Sequence, residues 1–349
     1  MQSDFSVIEG AYLRDILDQP RALEETRAGL EVSEALHRLA SRLREGQFKT
    51  VVLTGMGSSF HALHPLNLEL IDHGFTSLMM ETSELLHYQN RLFDPKTLIV
   101  AVSQSGQSAE VVRLLEMNRG KSSVIAVTNT PASPLAEQAD ATIVSRAGEE
   151  FSVSCKTYLA ALMALQWLGD VVCQRDLHRT RRELESASPA VRHYLAHWKE
   201  YVQDLAQMLA GVRHLFLVGR GSSLAAVGTG ALTIKESDHF HAEGMSSAAF
   251  RHGPFEMLSD ETFVLIFAGA EKTRDLNQSL FEDIREKGGR AELIGEGAAS
   301  PSCLLPSAPP SIHSIVEILP VQMVTLALAA QVGREPGRFE LASKVTTKE

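Results

Sequence analysis

Hydroxyl and amide side chains are concentrated in one short stretch of the sequence, Ser103, Gln104, Ser105, Gly106, Gln107 and Ser108. An apolar run precedes it at 98–102, and a segment with helical spacing follows at 109–115. Unpaired N–H groups at a helix N-terminus favour negative charge, and the hydroxyls and amides add neutral donors. We therefore expect this stretch, the serine turn, to bind a phosphate-type ligand. Serines also cap helices in this position, but one serine would suffice for a cap.

A second serine-bearing turn, Gly-Met-Gly-Ser-Ser at 55–59, follows the apolar run 51–54. Ligands collect at the carboxyl ends of parallel strands, so the two turns together predict a neutral phosphate cradle. A P-loop at these turns is excluded because it needs Gly-Lys-Ser/Thr and no lysine lies beside either turn. Dinucleotide binding is kept as an alternative, because Glu81 could act as the ribose-binding acid. Against it, Phe60 and Leu224 occupy the position of the third glycine in the dinucleotide-binding motif.

The elements that position these turns follow an alternation of strand and helix patterns. Apolar runs without polar alternation predict parallel strands covered by helices on both faces. Residues 215–223 restate 51–59 at an offset of about 164 residues, which indicates two copies of one unit. We predict an α/β protein with two tandem three-layer α/β/α units. The predicted segments are a helical leader 1–46, a first unit 47–175, a helical connector 176–210, a second unit 211–333 and a tail 334–349.

The composition of the chain limits the classes of partner that it can bind. A formal net charge of −10 argues against nucleic acid. No apolar run reaches the roughly 20 residues of a membrane span, and the N-terminus has no signal-peptide pattern, so we expect a cytoplasmic protein. We expect no cofactor and no metal. His239, His241 and Glu243 lack a fourth ligand, and the three cysteines are too few and too scattered for a zinc site or a disulfide framework.

Further motifs carry a resemblance to a known family. In order, the chain contains Tyr-Leu-Arg-Asp-Ile-Leu-Asp-Gln-Pro at 12–20, the two serine-bearing turns, Thr-Asn-Thr-Pro at 128–131, His-Ala-Glu-Gly at 241–244, Arg-His-Gly-Pro at 251–254 and Leu-Ala-Ser-Lys-Val-Thr at 341–346. This ordered set resembles the SIS (sugar isomerase) fold, specifically the isomerase half of glucosamine-6-phosphate synthase and its single-function relatives. The resemblance covers nearly the whole chain.

The resemblance implies a role for each matching residue. Glu236 would be the base that moves a proton between C1 and C2, and His252 would open the sugar ring from the neighbouring subunit of a homodimer. Lys344 would form an imine with the open-chain carbonyl or position it. The residues that would hold the sugar phosphate are Ser58, Ser59, Ser103, Gln104, Ser105 and Ser108. Val153 and Ser154 would contact the substrate.

The residue types suit this chemistry. A carboxylate can remove and return a proton, a histidine exchanges protons near neutral pH, and a lysine can turn a carbonyl into an iminium. By composition alone, Glu236 is more typical of a solvated helix end, His252 of a loop hydrogen bond and Lys344 of a solvated tail.

The sequence also departs from the synthase pattern. Gln2 stands where the glutaminase domain has its nucleophilic cysteine, so we expect no glutamine hydrolysis on this chain. Thr233 replaces a second active-site lysine, Lys344 is displaced by one residue, and the loop 149–156 is one residue short. We therefore expect the sugar head to be handled differently.

The resulting hypothesis is an enzyme acting on a 6-phosphorylated sugar derivative. A deglycase, which splits a phosphorylated ketosamine into sugar phosphate and amine, is preferred over an aldose–ketose isomerase or an aminosugar-phosphate deaminase. The alternative from another class is a non-catalytic sugar-phosphate sensor, although the acidic leader does not suit a DNA-binding domain. We expect a small-molecule sugar phosphate as the partner, with no nucleic acid and no membrane.

Overall fold

The computed structural model describes residues 5–341 and 343–346. These residues form two compact units. The first-sheet unit contains Arg21–Glu149, Lys156–Ser186 and the described tail from Leu341. The second-sheet unit contains the leader up to Pro20, the loop Glu150–Cys155 and Ala187–Glu340.

Helices and strands alternate along both units. The strands are β1 Thr50–Gly55, β2 Ser77–Glu81, β3 Thr97–Val102, β4 Ser123–Thr128, β5 Ala141–Val144, β6 His214–Gly219, β7 Ala242–Ser246, β8 Thr262–Phe267 and β9 Arg290–Ile294. The helices are α1 Ala11–Leu17, α2 Gln19–Gly29, α3 Glu34–Arg44, α4 Gly57–His61, α5 His64–Asp72, α6 Thr82–His87, α7 Ala109–Asn118, α8 Pro134–Gln138, α9 Lys156–Val172, α10 Leu177–Glu185, α11 Ala187–Leu195, α12 Trp198–Met208, α13 Leu224–Asp238, α14 Ser247–Arg251, α15 Glu271–Glu286, α16 Pro310–Val316 and α17 Leu319–Val332.

The first sheet is parallel and has the strand order β2-β1-β3-β4-β5. The sequence predicts strands at 51–54, 78–81, 98–102, 124–127 and 141–144, and all five are confirmed. Strand β3 is buried along its whole length, which accounts for its uninterrupted apolar sequence. In the register between β1 and β3, Gly55 lies beside Val102. The two serine-bearing turns therefore leave the sheet from neighbouring strand ends.

The helical spacing of residues 60–71 predicts one continuous helix after β1, and this prediction is wrong. The structure has two helices, α4 and α5, with a break between His61 and His64. Pro65 lies in the first turn of α5 and has no N–H to donate to the preceding turn, so it favours a new helix start. The short helix α4 holds the serines of the first turn independently of the longer helix.

Helix α9 is the central helix of the first-sheet unit. It packs against α3, α5 and α10 and is buried over nearly its whole length. This burial explains why its sequence is apolar on every face rather than along one stripe. The strongly apolar sequence at 157–173 predicts a helix here, and this prediction is confirmed.

The second sheet repeats the first. Its four parallel strands have the order β7-β6-β8-β9, which corresponds strand by strand to β2-β1-β3-β4. The sequence reasoning placed a loop where β7 lies and missed this strand. The segment Ala-Glu-Gly-Met-Ser contains no β-branched or aromatic residue, and its edge position leaves its middle residues exposed. This segment is a strand because it pairs in parallel with β6, and not because of its local β propensity.

Helix α17 forms the core of the second-sheet unit and packs against α12 and α13. Within the described residues, Pro310–Val332 is long and apolar enough to cross a membrane, but 89% of its apolar window is buried inside the protein. The expectation that no apolar stretch approaches that length was wrong. The burial nevertheless accounts for this stretch as core, which is consistent with a soluble protein.

Candidate functional site

The first sheet has its topological switch point between β1 and β3. From β1 the chain crosses to β2 on one side, and from β3 it crosses to β4 on the other. Ligands of open α/β sheets bind outside the carboxyl ends of the strands at such a point. A Cβ added to Gly55 would lie 2.9 Å from the Val102 carbonyl oxygen and 3.1 Å from the Ser59 carbonyl carbon. Only glycine allows the two turns to approach this closely.

Two hydroxyls of the serine turn accept hydrogen bonds from its own backbone and stabilise its conformation. Ser103 Oγ accepts the Gly106 N–H at 3.1 Å, and Ser105 Oγ accepts the Gln107 N–H at 3.3 Å. Gly106 has φ +64° and packs against Ser133, so a side chain there would collide and strain the backbone. Because an accepting hydroxyl still has its own hydrogen, both serines remain able to donate to an anion.

The turn after β4 supports the serine turn from the far side. The Gln104 carbonyl accepts the Asn129 N–H at 3.1 Å and the Thr128 hydroxyl at 3.3 Å. The Gly106 carbonyl accepts the Leu135 N–H at 3.1 Å. These contacts occupy carbonyl oxygens that would otherwise repel a phosphate. They also give the motif at 128–131 a structural role.

The C-terminal tail lies against the end of the serine turn. The N–H of Ala109, the first residue of α7, donates to the Thr346 carbonyl at 3.0 Å. Lys344 precedes this contact by two residues and is half-buried. Sequence spacing gave no signal for this hydrogen bond. The contact places the backbone of the lysine-bearing tail next to the predicted phosphate site, within the first-sheet unit.

The first Gly-x-Gly turn presents its serines from a short helix. Gly57 has φ +53°, a left-handed conformation that suits glycine, and α4 begins there. Ser58 and Ser59 occupy the first turn of α4 and are half-buried. Their hydroxyls and the N-terminus of α4 are therefore partly accessible at the switch point, as an anion site requires.

The equivalent turn of the second-sheet unit has diverged. Ser223 is fully buried and donates to Glu317 Oε1 at 2.6 Å. Burial raises the pKa of Glu317, while His313 and this hydrogen bond lower it. The turn after β8 reads Ala-Gly-Ala at 268–270 and has no hydroxyl. Glu317 is not among the predicted site residues, although a lone acid in an apolar run is a recognisable signal.

Glu236 lies in the last turn of α13, the helix that follows the second Gly-x-Gly turn. Burial raises the pKa of its carboxyl from 4.5 to about 7, and the neighbouring Lys235 lowers it. A carboxyl that titrates near the working pH can both remove and return a proton. Thr233, which stands where the synthase pattern has a lysine, is buried one turn earlier.

His252 follows α14 in the same unit as Glu236. The backbone N–H of His252 donates to the Ala249 carbonyl at 2.9 Å, and His252 is exposed. Gly253 next to it has φ +143°, which favours glycine and sets the turn that ends the helix. The position is accessible, as the predicted ring-opening role requires.

The loop at 150–155 belongs to the second-sheet unit. The N–H of Cys155 donates to the Glu150 carboxylate at 2.9 Å. Val153 is buried, with 1% exposure, and Ser154 is half-buried. Val153 therefore belongs to the core, and Ser154 is the more accessible of these two predicted contacts.

The predicted site residues thus fall into two groups. The first-sheet unit contains both serine-bearing turns and Lys344. The second-sheet unit contains Glu236, His252 and the loop with Val153 and Ser154. The first group can bind an anion and the second can exchange protons.

Comparisons with known proteins agree with this architecture. A family model described as "SIS domain" matches residues 47–169 and 208–331. The glutamine–fructose-6-phosphate aminotransferase (isomerizing) of Pyrococcus horikoshii is 28% identical over 348 residues, which cover 97% of this chain and 57% of that protein. This chain therefore spans a little over half the length of that curated relative.

Two solved structures show the same fold. The C-terminal domain of glucosamine-fructose-6-phosphate aminotransferase from Francisella tularensis superposes with a TM-score of 0.82 at 20% identity, covering 95% of this chain and 99% of that one. Tagatose-6-phosphate ketose/aldose isomerase from Escherichia coli has a TM-score of 0.80 at 16% identity and covers 98% of both chains.

Proposed function

The chain belongs to the SIS-domain family, and we propose that it is an enzyme that acts on a 6-phosphorylated sugar or ketosamine. Its reaction moves a proton between C1 and C2 of the open-chain substrate. The preferred activity is that of a deglycase. The substrate is a small molecule, and the protein works as a cytoplasmic homodimer.

One observation carries the phosphate assignment. Within the first-sheet unit, two serine-bearing turns meet at the switch point, and the backbone of the tail closes the end of the second turn through the Ala109–Thr346 hydrogen bond. The hydroxyls of Ser59, Ser103 and Ser105 are neutral donors at the N-termini of α4 and α7. Such a site suits the dianionic end of a sugar phosphate.

The raised pKa of Glu236 supports the proton-transfer step. In a ketosamine, Glu236 removes a proton from C1, which bears the amine. The electron pair forms the C1–C2 double bond of an enaminol, and the C2 oxygen takes up a proton from water. Return of the first proton to C2, with loss of the N–H proton to water, leaves an imine between C1 and the nitrogen. Water adds to C1, and the amine leaves with the proton that the water loses. The products are an aldose 6-phosphate and the free amine.

The other groups act before and after this transfer. The exposed His252 is suited to exchange the proton that opens the sugar ring. In the proposed dimer, this histidine comes from the neighbouring subunit. Lys344 forms an imine with the open-chain carbonyl or holds it in position. Thr233 in place of a lysine is a departure from the synthase pattern, which supports a different handling of the sugar head.

The test is a coupled assay with the purified protein. Phosphorylated ketosamines that differ in the amine are supplied, and both glucose 6-phosphate and free amine are measured. Glu236→Gln and the unphosphorylated ketosamine are the controls. Equal release of both products by the wild type supports the deglycase.

Other outcomes select other activities. Interconversion of fructose and glucose 6-phosphates without amine release would identify an isomerase. Release of ammonia from glucosamine 6-phosphate would identify a deaminase. Tight sugar-phosphate binding without turnover of any of these substrates would overturn the enzyme proposal in favour of a sensor.

A further inference from the structure

Three side chains with different donor atoms converge in the first-sheet unit, apart from the residues discussed above. Glu69 and His73 lie at the C-terminal end of α5, and Cys173 directly follows α9. One ligand atom from each lies within 4.8 Å of the other two. We propose that Glu69, His73 and Cys173 bind a borderline transition-metal ion of the Zn²⁺ class. This inference does not depend on the proposed enzyme activity.

The histidine is already in the tautomer that a metal needs. His73 Nδ1 lies 2.8 Å from the Glu69 carbonyl oxygen. A carbonyl oxygen only accepts, so Nδ1 carries the hydrogen and Nε2 of the neutral ring presents its lone pair. Metal-bound histidines almost always donate their second nitrogen to a carbonyl or carboxylate in this way. The backbone of α5 thus prepares one ligand.

The carboxylate is held by a specific close approach. A Cβ at Gly169 in α9 would collide with Glu69 Oε2. Glycine at this position lets the carboxylate of α5 lie directly on the backbone of α9. Because α5 and α9 pack together, the same approach brings Glu69 to the end of α9, where Cys173 follows.

The surrounding charges favour a cation. Asp170 is buried and, together with Glu69, places two carboxyl groups near Cys173 at the end of α9. Burial and, to a smaller extent, the Glu69 carboxylate raise the pKa of the Cys173 thiol to about 12, while Arg175 acts in the opposite direction. Arg175 Nε lies 2.8 Å from Glu69 and 3.3 Å from Asp170. This arginine is half-exposed and is the resident cation that a metal would displace.

The geometry needs only small adjustments. Bonds of about 2.0–2.3 Å in a tetrahedral site separate the ligand atoms by roughly 3.3–3.8 Å. Side-chain rotations can close the present distances because His73 is exposed, and that exposure also gives the ion a path from solvent. Water would fill the fourth position. Binding replaces the thiol proton, so affinity should rise with pH.

The proposed ion would join α5 to α9. The start of α5 follows the serines of the first turn, whereas its end, with Glu69 and His73, leads into β2. The ion would therefore lie toward the opposite edge of the sheet from the phosphate site. Its expected effect is on the stability of the first-sheet unit.

The experiment titrates the reduced, metal-free protein with Co²⁺ and follows the thiolate-to-cobalt charge-transfer absorption. We expect one Co²⁺ per chain, displaced by Zn²⁺. Cys173→Ser should abolish the band, and His73→Ala should weaken binding at least about tenfold. Arg175→Gln should tighten it, because the competing guanidinium is gone.

Matched controls separate this site from the other cysteines and histidines. Cys303→Ala and the exposed His37→Ala should bind Co²⁺ like the wild type. Zn²⁺ should raise the melting temperature of the wild type and of both controls, but not of Cys173→Ser. A wild type without the thiolate band, or a Cys173→Ser variant that retains it, would overturn the proposal.

Discussion

The sharpest prediction concerns the pH dependence of turnover and the carboxyl of Glu236. A base must be ionised to remove a proton, and burial raises the pKa of this group to about 7. At pH 6 only about one molecule in ten is then ionised, whereas a carboxyl with a pKa of 4.5 would remain almost fully ionised. The rate constant kcat/KM should fall about tenfold per pH unit below pH 7.

The assay measures kcat/KM from pH 5 to 9 for the wild type and for two lysine variants. Lys235 lowers the pKa of Glu236, so Lys235→Gln should move the acidic limb to higher pH. The exposed Lys272 on α15 is the matched control, and Lys272→Gln should leave the limb in place. The substrate phosphate also ionises near pH 6, but neither variant changes its titration.

Two results would refute this reasoning. One is a wild-type profile that stays flat down to pH 5.5, because the base would then have an ordinary pKa. The other is an acidic limb that Lys235→Gln and Lys272→Gln both leave unchanged. The first result would show that the pKa of the base is not raised, and the second would show that the acidic limb does not report on Glu236.

Three further predictions follow from the same structure. Ser105→Ala should raise KM for the phosphorylated substrate about 10- to 150-fold, because it removes a hydrogen bond to a charged group. Ser222→Ala, in the diverged turn of the second-sheet unit, should leave KM unchanged. Equal effects of the two substitutions would contradict the assignment of the phosphate site to the serine turn. Burial raises the pKa of Asp238 above its unfolded-state value, so its contribution to stability is complete below about pH 4 and is lost as the pH rises through the folded-state pKa. Asp238→Asn should therefore match the wild type at pH 4 and exceed its free energy of unfolding at pH 8; a wild type as stable as the variant at pH 8 would show that burial does not perturb this group. Mixing inactive Glu236→Gln and His252→Ala proteins should restore activity if His252 acts in the neighbouring subunit, and no recovery after confirmed subunit exchange would place both residues in one subunit.

The sequence predicted the first sheet because its evidence is local. Each strand is a buried apolar run bounded by turn residues, and the serine turn follows β3 directly. Strand β7 was missed because its residues have low β propensity and only pairing with β6 makes it a strand. The division of one helix into α4 and α5 depends on Pro65, whose effect the helical periodicity concealed.

The parts of the site that escaped prediction depend on contacts distant in sequence. The hydrogen bond from Ala109 to Thr346 joins residues with no shared pattern. The two Gly-x-Gly turns have similar sequences, yet Ser223 is buried against Glu317 while Ser59 stays partly accessible. Outside this site, cysteine spacing could not indicate the proposed metal site of Glu69, His73 and Cys173, because only one of its three proposed ligands is a cysteine.

The most direct test of the proposed function is solvent proton exchange at the substrate carbon. Fructose 6-phosphate and a phosphorylated ketosamine are each incubated with the enzyme in D₂O, and loss of the C1 proton signal is followed by NMR. The wild type should incorporate deuterium at C1 of at least one of them. Glu236→Gln should do so at least about a hundredfold more slowly while still binding the phosphate. A wild type that binds these compounds and exchanges no proton, or a Glu236→Gln variant that exchanges it at the wild-type rate, would contradict the account.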